Sequence, residues 1–113
     1  MATLGELERA IMEQLWATDE SVTAYDLIDR LPDRRLAPTT MLTVLSRLEK
    51  KGFVARSRDA RPHRYTAAAS REEHMADLMH EVLGGASDRT AVLERFVGQV
   101  TPAEAETLRR LLG

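Results

Sequence analysis

The chain has 113 residues, a net charge of −2, 43% hydrophobic residues with only 4% aromatics, and no cysteine. That length allows one small domain, or a small domain with an appendage, and its modest core makes self-association a reasonable expectation. The missing cysteine excludes disulfides, thiolate zinc sites and cysteine redox sensing, and neither a membrane-length apolar run nor a basic-then-apolar leader is present, so a soluble, cytoplasmic chain without membrane insertion is expected.

The charge is unevenly spread. From Arg34 to Tyr65 there are nine Lys or Arg against two acids, Glu49 and Asp59, a net of +7. The remainder holds seven bases and sixteen acids. A chain polarised in this way presents its basic lobe to an anionic partner, while the acidic remainder limits nonspecific adhesion.

In chain order, Thr3-x-x-Glu6 forms a capping box for a first helix, and Leu4, Leu7, Ile11, Leu15 and Trp16 recur at helical spacing to about Ala17. Thr23 caps a second helix with stripe Ala24, Leu27, Ile28 and Leu31, closed by Pro32. Residues 33–37 make a turn. Pro38 suits the first position of a third helix, where its missing N–H is no loss, and Gly52 is placed as its left-handed stop. Phe53–Arg58 and His63–Ala67 then form a hairpin around the tip Asp59-Ala60-Arg61-Pro62.

Beyond Ala69 the pattern is helical again. Ser70-x-x-Glu73 is a capping box, and Met75, Leu78, Met79, Val82 and Leu83 form an amphipathic stripe that ends at Gly84-Gly85. Asp88 caps a helix carrying Val92, Leu93, Phe96, Val97 and Val100. Thr101-Pro102-x-Glu104 opens a last helix with Ala105, Leu108, Leu111 and Leu112. These helices are too short to be stable alone, so the stripes need a partner. Packing against a second copy would bury them in a two-fold dimer; the alternative is folding back on the first domain. The expected architecture is mainly α with a small β-hairpin wing (α+β): a winged helix-turn-helix over residues 1–69, then a helical dimerisation region over residues 70–113.

The third helix carries the strongest functional signal. Met41, Val44, Leu45 and Leu48 occupy one side; Thr39, Thr40, Thr43, Ser46, Arg47 and Lys50 fill an arc of about 120° opposite. Threonine is a poor helix former, which argues against an anonymous solvated face. Threonine hydroxyls reach base edges or phosphates and their methyls reach thymine methyls; Arg47 matches guanine or a phosphate, and Lys50 a phosphate. On the wing, strand alternation favours Arg58, Arg61, His63 and Arg64 over Arg56 as phosphate contacts, with Tyr65 in the core. Arg34 and Arg35 are equally compatible with phosphate contact or plain solvation.

No nucleophile–base constellation or Gly-rich phosphate loop is present, so neither enzyme activity nor a cofactor is expected. Glu73, His74, Asp77, His80 and Glu81 cluster on the fourth helix, but His74 and His80 are six apart and fall on different faces. A helical two-histidine metal site needs i, i+4, so a solvated polar face is expected and no metal. Two other functional readings stand beside DNA binding: a winged-helix module that meets an acidic protein, and a ligand-sensing regulator with an effector pocket between the C-terminal helices.

These motifs together resemble the BlaI/MecI family of penicillinase and methicillin-resistance repressors. The resemblance rests on Leu4-Gly5-Glu6-Leu7-Glu8 with Leu15-Trp16, Thr39-Thr40-Met41-Leu42-Thr43-Val44-Leu45 with Arg47-Leu48, and Lys51-Gly52. It continues through Arg61-Pro62-His63-Arg64-Tyr65, Ser70-Arg71-Glu72-Glu73, and Phe96-Val97 before Thr101-Pro102-Ala103-Glu104. It implies a homodimeric repressor that binds double-stranded DNA at dyads related to TACA/TGTA, in a family that commonly controls β-lactamase genes and thus antibiotic resistance. In relatives a membrane sensor-protease pathway triggers cleavage at an Asn-Phe bond; the corresponding pair here is Arg95-Phe96, without the asparagine. Copper-responsive relatives use C-terminal cysteines, which this chain lacks.

Overall fold

Gly5 starts the first helix, α1 (Glu6–Trp16), because the Glu8 carboxylate reaches back and accepts the Gly5 N–H at 2.9 Å. The computed structural model describes residues 4–59 and 61–113, so Thr3, expected as the cap, and Ala60 of the hairpin tip lie outside the described residues. Thr23 caps α2 (Ala24–Arg30) in a reciprocal box with Asp26: its hydroxyl accepts the Asp26 N–H, and the Asp26 carboxylate accepts the Thr23 N–H. These bonds hold the Asp26 carboxyl below its ordinary value, the Thr23 backbone bond first among them. Residues 32–34 form a single 3-10 turn, which Arg35 closes in the left-handed region at φ 48°.

Pro38 opens α3 (Pro38–Lys50). The helix ends in a Schellman arrangement: Phe53 N–H donates to Leu48 O, and Gly52 N–H to Glu49 O, with Gly52 at φ 85°. Only glycine takes that φ without strain, so the chain reverses sharply into the wing. Strands β2 (Val54–Ser57) and β3 (Arg64–Ala67) pair antiparallel with Arg56 opposite Tyr65. The wing is not a bare hairpin. Val22 and Thr23 form a third strand, β1, on the other edge of β3, giving the order β1-β3-β2 with Val22 opposite Tyr65.

The core lies among α1, α2, α3 and this sheet. Ile11, Met12, Leu27, Met41, Leu45 and Leu48 are fully buried; Leu15, Val22, Ala24, Val44, Phe53, Val54 and Tyr65 complete the cluster. Each such aliphatic side chain contributes roughly 1.5–3 kcal/mol by leaving water. Met41, Val44, Leu45 and Leu48 are the apolar side of α3, so burying them fixes which face of that helix looks outward.

Two compact units divide the chain, Met1–Met75 and Ala76–Gly113. The break falls inside α4 (Arg71–Gly84), because the first turn of that helix packs on the winged unit. Trp16 Nε1 donates to Ala69 O at 3.0 Å, Arg71 pairs with Glu13, and Arg71 Cζ lies 5.6 Å over the Trp16 ring. His74 is buried there at 4% exposure, with its ring centroid 4.8 Å from Phe53 and 5.6 Å from Trp16. The expectation of a wholly solvated polar face on α4 is therefore corrected at His74. It occupies an aromatic slot, while Glu73, Asp77, His80 and Glu81 remain exposed. No group of His, Asp and Glu among the described residues could hold a metal ion.

The second unit holds the rest of α4, then α5 (Arg89–Val97) and α6 (Pro102–Leu112). Asp88 caps α5, and Thr101 with Glu104 caps α6 in a reciprocal box. Val100 lies beyond the end of α5, which stops at Gly98. No residue from Met75 to Gly113 is buried. Met75, Met79, Val82, Val92, Leu93, Phe96, Val97, Leu111 and Leu112 are exposed, and Leu78, Leu83 and Leu108 half-buried. No described helix is long and apolar enough to cross a membrane.

Candidate nucleic-acid interface

With its apolar side held in the core, α3 turns Thr39, Thr40, Thr43, Ser46, Arg47 and Lys50 outward, and all six are exposed. Thr43 is the exception to free hydroxyls on this face. Its Oγ1 donates to Thr39 O at 2.9 Å, so that proton is committed within the helix. Leu42, which periodicity did not single out for this face, is 45% exposed. Leu42, Thr43, Ser46, Arg47 and Lys50 line a shallow depression of about 400 Å³.

Glu8 ties the start of α1 to the end of α3. Lys51 Nζ donates to both Glu8 oxygens, at 2.8 and 2.9 Å, and Glu8 is 7% exposed. Burial by itself would raise the Glu8 carboxyl. The hydrogen bonds from Lys51 and Gly5, with the charges of Lys51 and Arg47, outweigh it and hold the group below its ordinary value. This pair was not legible in sequence; its members are 43 residues apart and no local pattern links them.

The wing arginines divide by partner. Glu49, on α3, lies 3.6 Å from Arg56 Nε and 3.7 Å from Arg58 Nη2. Arg56 is half-buried on the strand face that carries Val54 and Tyr65. Arg58 is 73% exposed, so its tether to Glu49 is loose. Arg64 was expected to face phosphate. Two of its guanidinium donors are taken up within the fold: Nε donates to Ser21 Oγ at 2.9 Å and Nη2 to Ser21 O at 2.7 Å. It therefore fastens β3 to the entry of β1. His63 Nδ1 lies 3.1 Å from Ser57 O, holding the ring across the base of the wing tip. Arg34 pairs with Glu6 at 3.1 Å. Arg47, Lys50 and Arg61 are exposed and lie within 4 Å of no carboxylate among the described residues.

The family model described as Penicillinase repressor matches residues 4–113. "Transcriptional regulator BlaI" of Mycobacterium tuberculosis (strain CDC 1551 / Oshkosh) is 45% identical over 116 residues, covering 99% of this chain and 84% of that protein. An uncharacterized 16.5 kDa protein of Latilactobacillus sakei is 30% identical over 107 residues, covering 90% of this chain and 71% of that protein. Among solved structures, a MarR family protein from Bacillus stearothermophilus superposes with a TM-score of 0.54 at 19% identity, covering 98% of this chain and 71% of that one. A MarR family transcriptional regulator from Rhodococcus sp. RHA1 gives 0.52 at 17% identity, covering 96% and 71%. At these identities the structural likeness establishes the fold, an α+β winged helix.

Proposed function

Because this chain belongs to the penicillinase repressor family of transcriptional regulators, we propose that it acts as a homodimer that binds a two-fold operator and represses by occluding a promoter. The observation that carries this reading is the division of α3: four apolar side chains locked in the core, and six hydroxyl or basic side chains exposed together opposite them. A helix held so firmly on one side presents its other side to a major groove without reorganising.

Within this reading Thr39, Thr40, Ser46 and Arg47 contact base edges. Arg47 is the residue whose planar fork matches guanine O6 and N7. Lys50, Arg58, Arg61 and His63 hold phosphates, and their affinity comes from released counterions. Arg64 contributes by fixing the wing to β1 through Ser21. The exposed apolar stripes of α4, α5 and α6 support a second copy as partner. So does a concavity of about 490 Å³ between Met79, Phe96, Val100 and Leu108, of a size to receive side chains from that copy. A two-fold protein then sets its two α3 helices about one turn of DNA apart, roughly 34 Å.

Release by cleavage at Arg95-Phe96 is left out of this reading. Arg95 stands where the family resemblance implies an asparagine, and the bond lies inside α5, in the helix turn that the Gly98 N–H closes on Glu94 O. Titration against duplex DNA over a range of salt tests the proposal. A steep linear fall of log affinity with log salt, and a two-to-one protein-to-site stoichiometry, are expected. A flat salt response, or saturation at one chain per site, would overturn it.

A further inference from the structure

The reading face of α3 contains an apolar element that its charge pattern hides. Leu42 is 45% exposed, and apart from Tyr25 it is the exposed large hydrophobic side chain among the described residues before Met75. A single exposed leucine is ordinary on a protein surface. This one stands on the helix that the fold turns outward, four residues before Ser46 and so one turn from it on the same side. It forms one wall of the depression that Arg47 borders, with Thr43 and Ser46 between them.

Thr43 adds an independent observation. Its hydroxyl hydrogen is given to Thr39 O. What Thr43 has left to offer a ligand is its methyl group and an oxygen lone pair. Thr43 stands in the middle of the polar arc and Leu42 at its edge, and both line the depression, so this otherwise polar face offers methyl groups beside its donors. Arg47 and Lys50 bring the depression against a polyanion, and the one apolar group that a major groove presents is the thymine C5-methyl.

We propose that Leu42, with the Thr43 methyl, is a specificity-determining contact that reads thymine C5-methyl groups. The proposal rests on the reading of α3 as the groove-facing helix. It separates the work of that face: Arg47 selects a purine by hydrogen bonding, and Leu42 selects thymine over cytosine by burying a methyl.

The test uses the full chain and a duplex that it selects from a randomised pool. Each thymine of that duplex is replaced in turn by deoxyuridine, which removes the C5-methyl and leaves base pairing intact. At one position per half-site the replacement should weaken binding about fourfold, the loss expected for one buried methyl group. Leu42→Ala should bind the parent duplex more weakly and lose sensitivity to that same replacement. Its affinity for random duplex and its salt slope should be unchanged. Tolerance of deoxyuridine at every position by the native chain would overturn the proposal, and needs no variant. So would a Leu42→Ala chain as sensitive as the native one. In both cases preference for the selected duplex over random DNA persists, and the groove-facing reading of α3 survives. If the chain shows no preference for any duplex, that reading falls and takes this proposal with it.

Discussion

Glu49 Oε2 lies 3.7 Å from Arg58 Nη2, and the same carboxylate lies 3.6 Å from Arg56 Nε. One of the two acids in the basic lobe is thus set against the wing, linking the last turn of α3 to β2. An exposed pair of this kind stabilises the fold by only about 0–1 kcal/mol. Its larger effect is on charge, because it offsets two arginines of the basic lobe.

Glu49→Gln should therefore leave the melting temperature nearly unchanged while tightening binding to random duplex. The salt slope should steepen by up to about one unit, because Arg58 is no longer shared between Glu49 and a phosphate. Fluorescence anisotropy across a salt series reads both quantities.

Arg47→Ala and Arg61→Ala should separate base reading from phosphate contact. Loss of Arg47 should weaken operator binding by about 1–3 kcal/mol and random-duplex binding much less. Loss of Arg61 should weaken both equally and flatten the salt slope by about one. Competition binding on operator and random duplex distinguishes them, and equal losses for Arg47→Ala would remove its base-reading role.

The Glu8–Lys51 pair predicts acid sensitivity of the winged unit. Glu8 titrates below its ordinary value in the folded chain. Its contribution is therefore present at neutral pH and above the unfolded value, and is lost as pH falls through the lower, folded value. Glu8→Gln should cost about 1–3 kcal/mol at pH 7, since it removes the charge of the carboxylate that accepts both of these Lys51 bonds. That difference from the native chain should shrink toward zero in strong acid. Denaturant unfolding followed at several pH values measures it.

His74 Nε2 is buried without a hydrogen-bond partner among the described residues. An unmet polar atom of this kind costs about 1–3 kcal/mol, so His74→Phe, which keeps the ring and removes the orphan, should be neutral or stabilising. His74→Ala should destabilise by roughly 2–4 kcal/mol through the cavity left between Trp16 and Phe53. Thermal melts of the two variants give the comparison.

Phe96 is 44% exposed on α5. Phe96→Glu should dissociate a dimer built on the α4–α6 stripes, and weaken operator binding at least about a hundredfold by removing the second half-site contact. The salt slope of the remaining monomer should fall to about half. Sedimentation at micromolar concentration checks the assembly state. A variant that still sediments as the native chain does would place the self-contact elsewhere.

Elements with local chemical signals were legible in the sequence: Pro38 at the head of α3, Gly52 at its left-handed stop, and the Thr23 and Thr101 boxes. Each depends on residues within four positions of one another. The division of α3 was legible too, because helical period alone sorts Met41, Val44, Leu45 and Leu48 from the rest. What escaped depends on distant partners. β1 is two residues long, too short to alternate, and exists because β3 lies beside it. The hold of Ser21 on Arg64, and of Glu8 on Lys51, each spans 43 residues. His74 resembled its polar neighbours in every local respect, and only the packing of Trp16 and Phe53 distinguishes it.

The chain has a single tryptophan, and its indole N–H is bound to Ala69 O where the winged unit hands over to α4. That side chain makes the native protein its own optical probe. Any event that loosens the handover exposes the indole to water and shifts its emission to longer wavelength, with no dye attached. Any loosening of this contact when duplex DNA is added can thus be followed in real time from the intrinsic signal of Trp16.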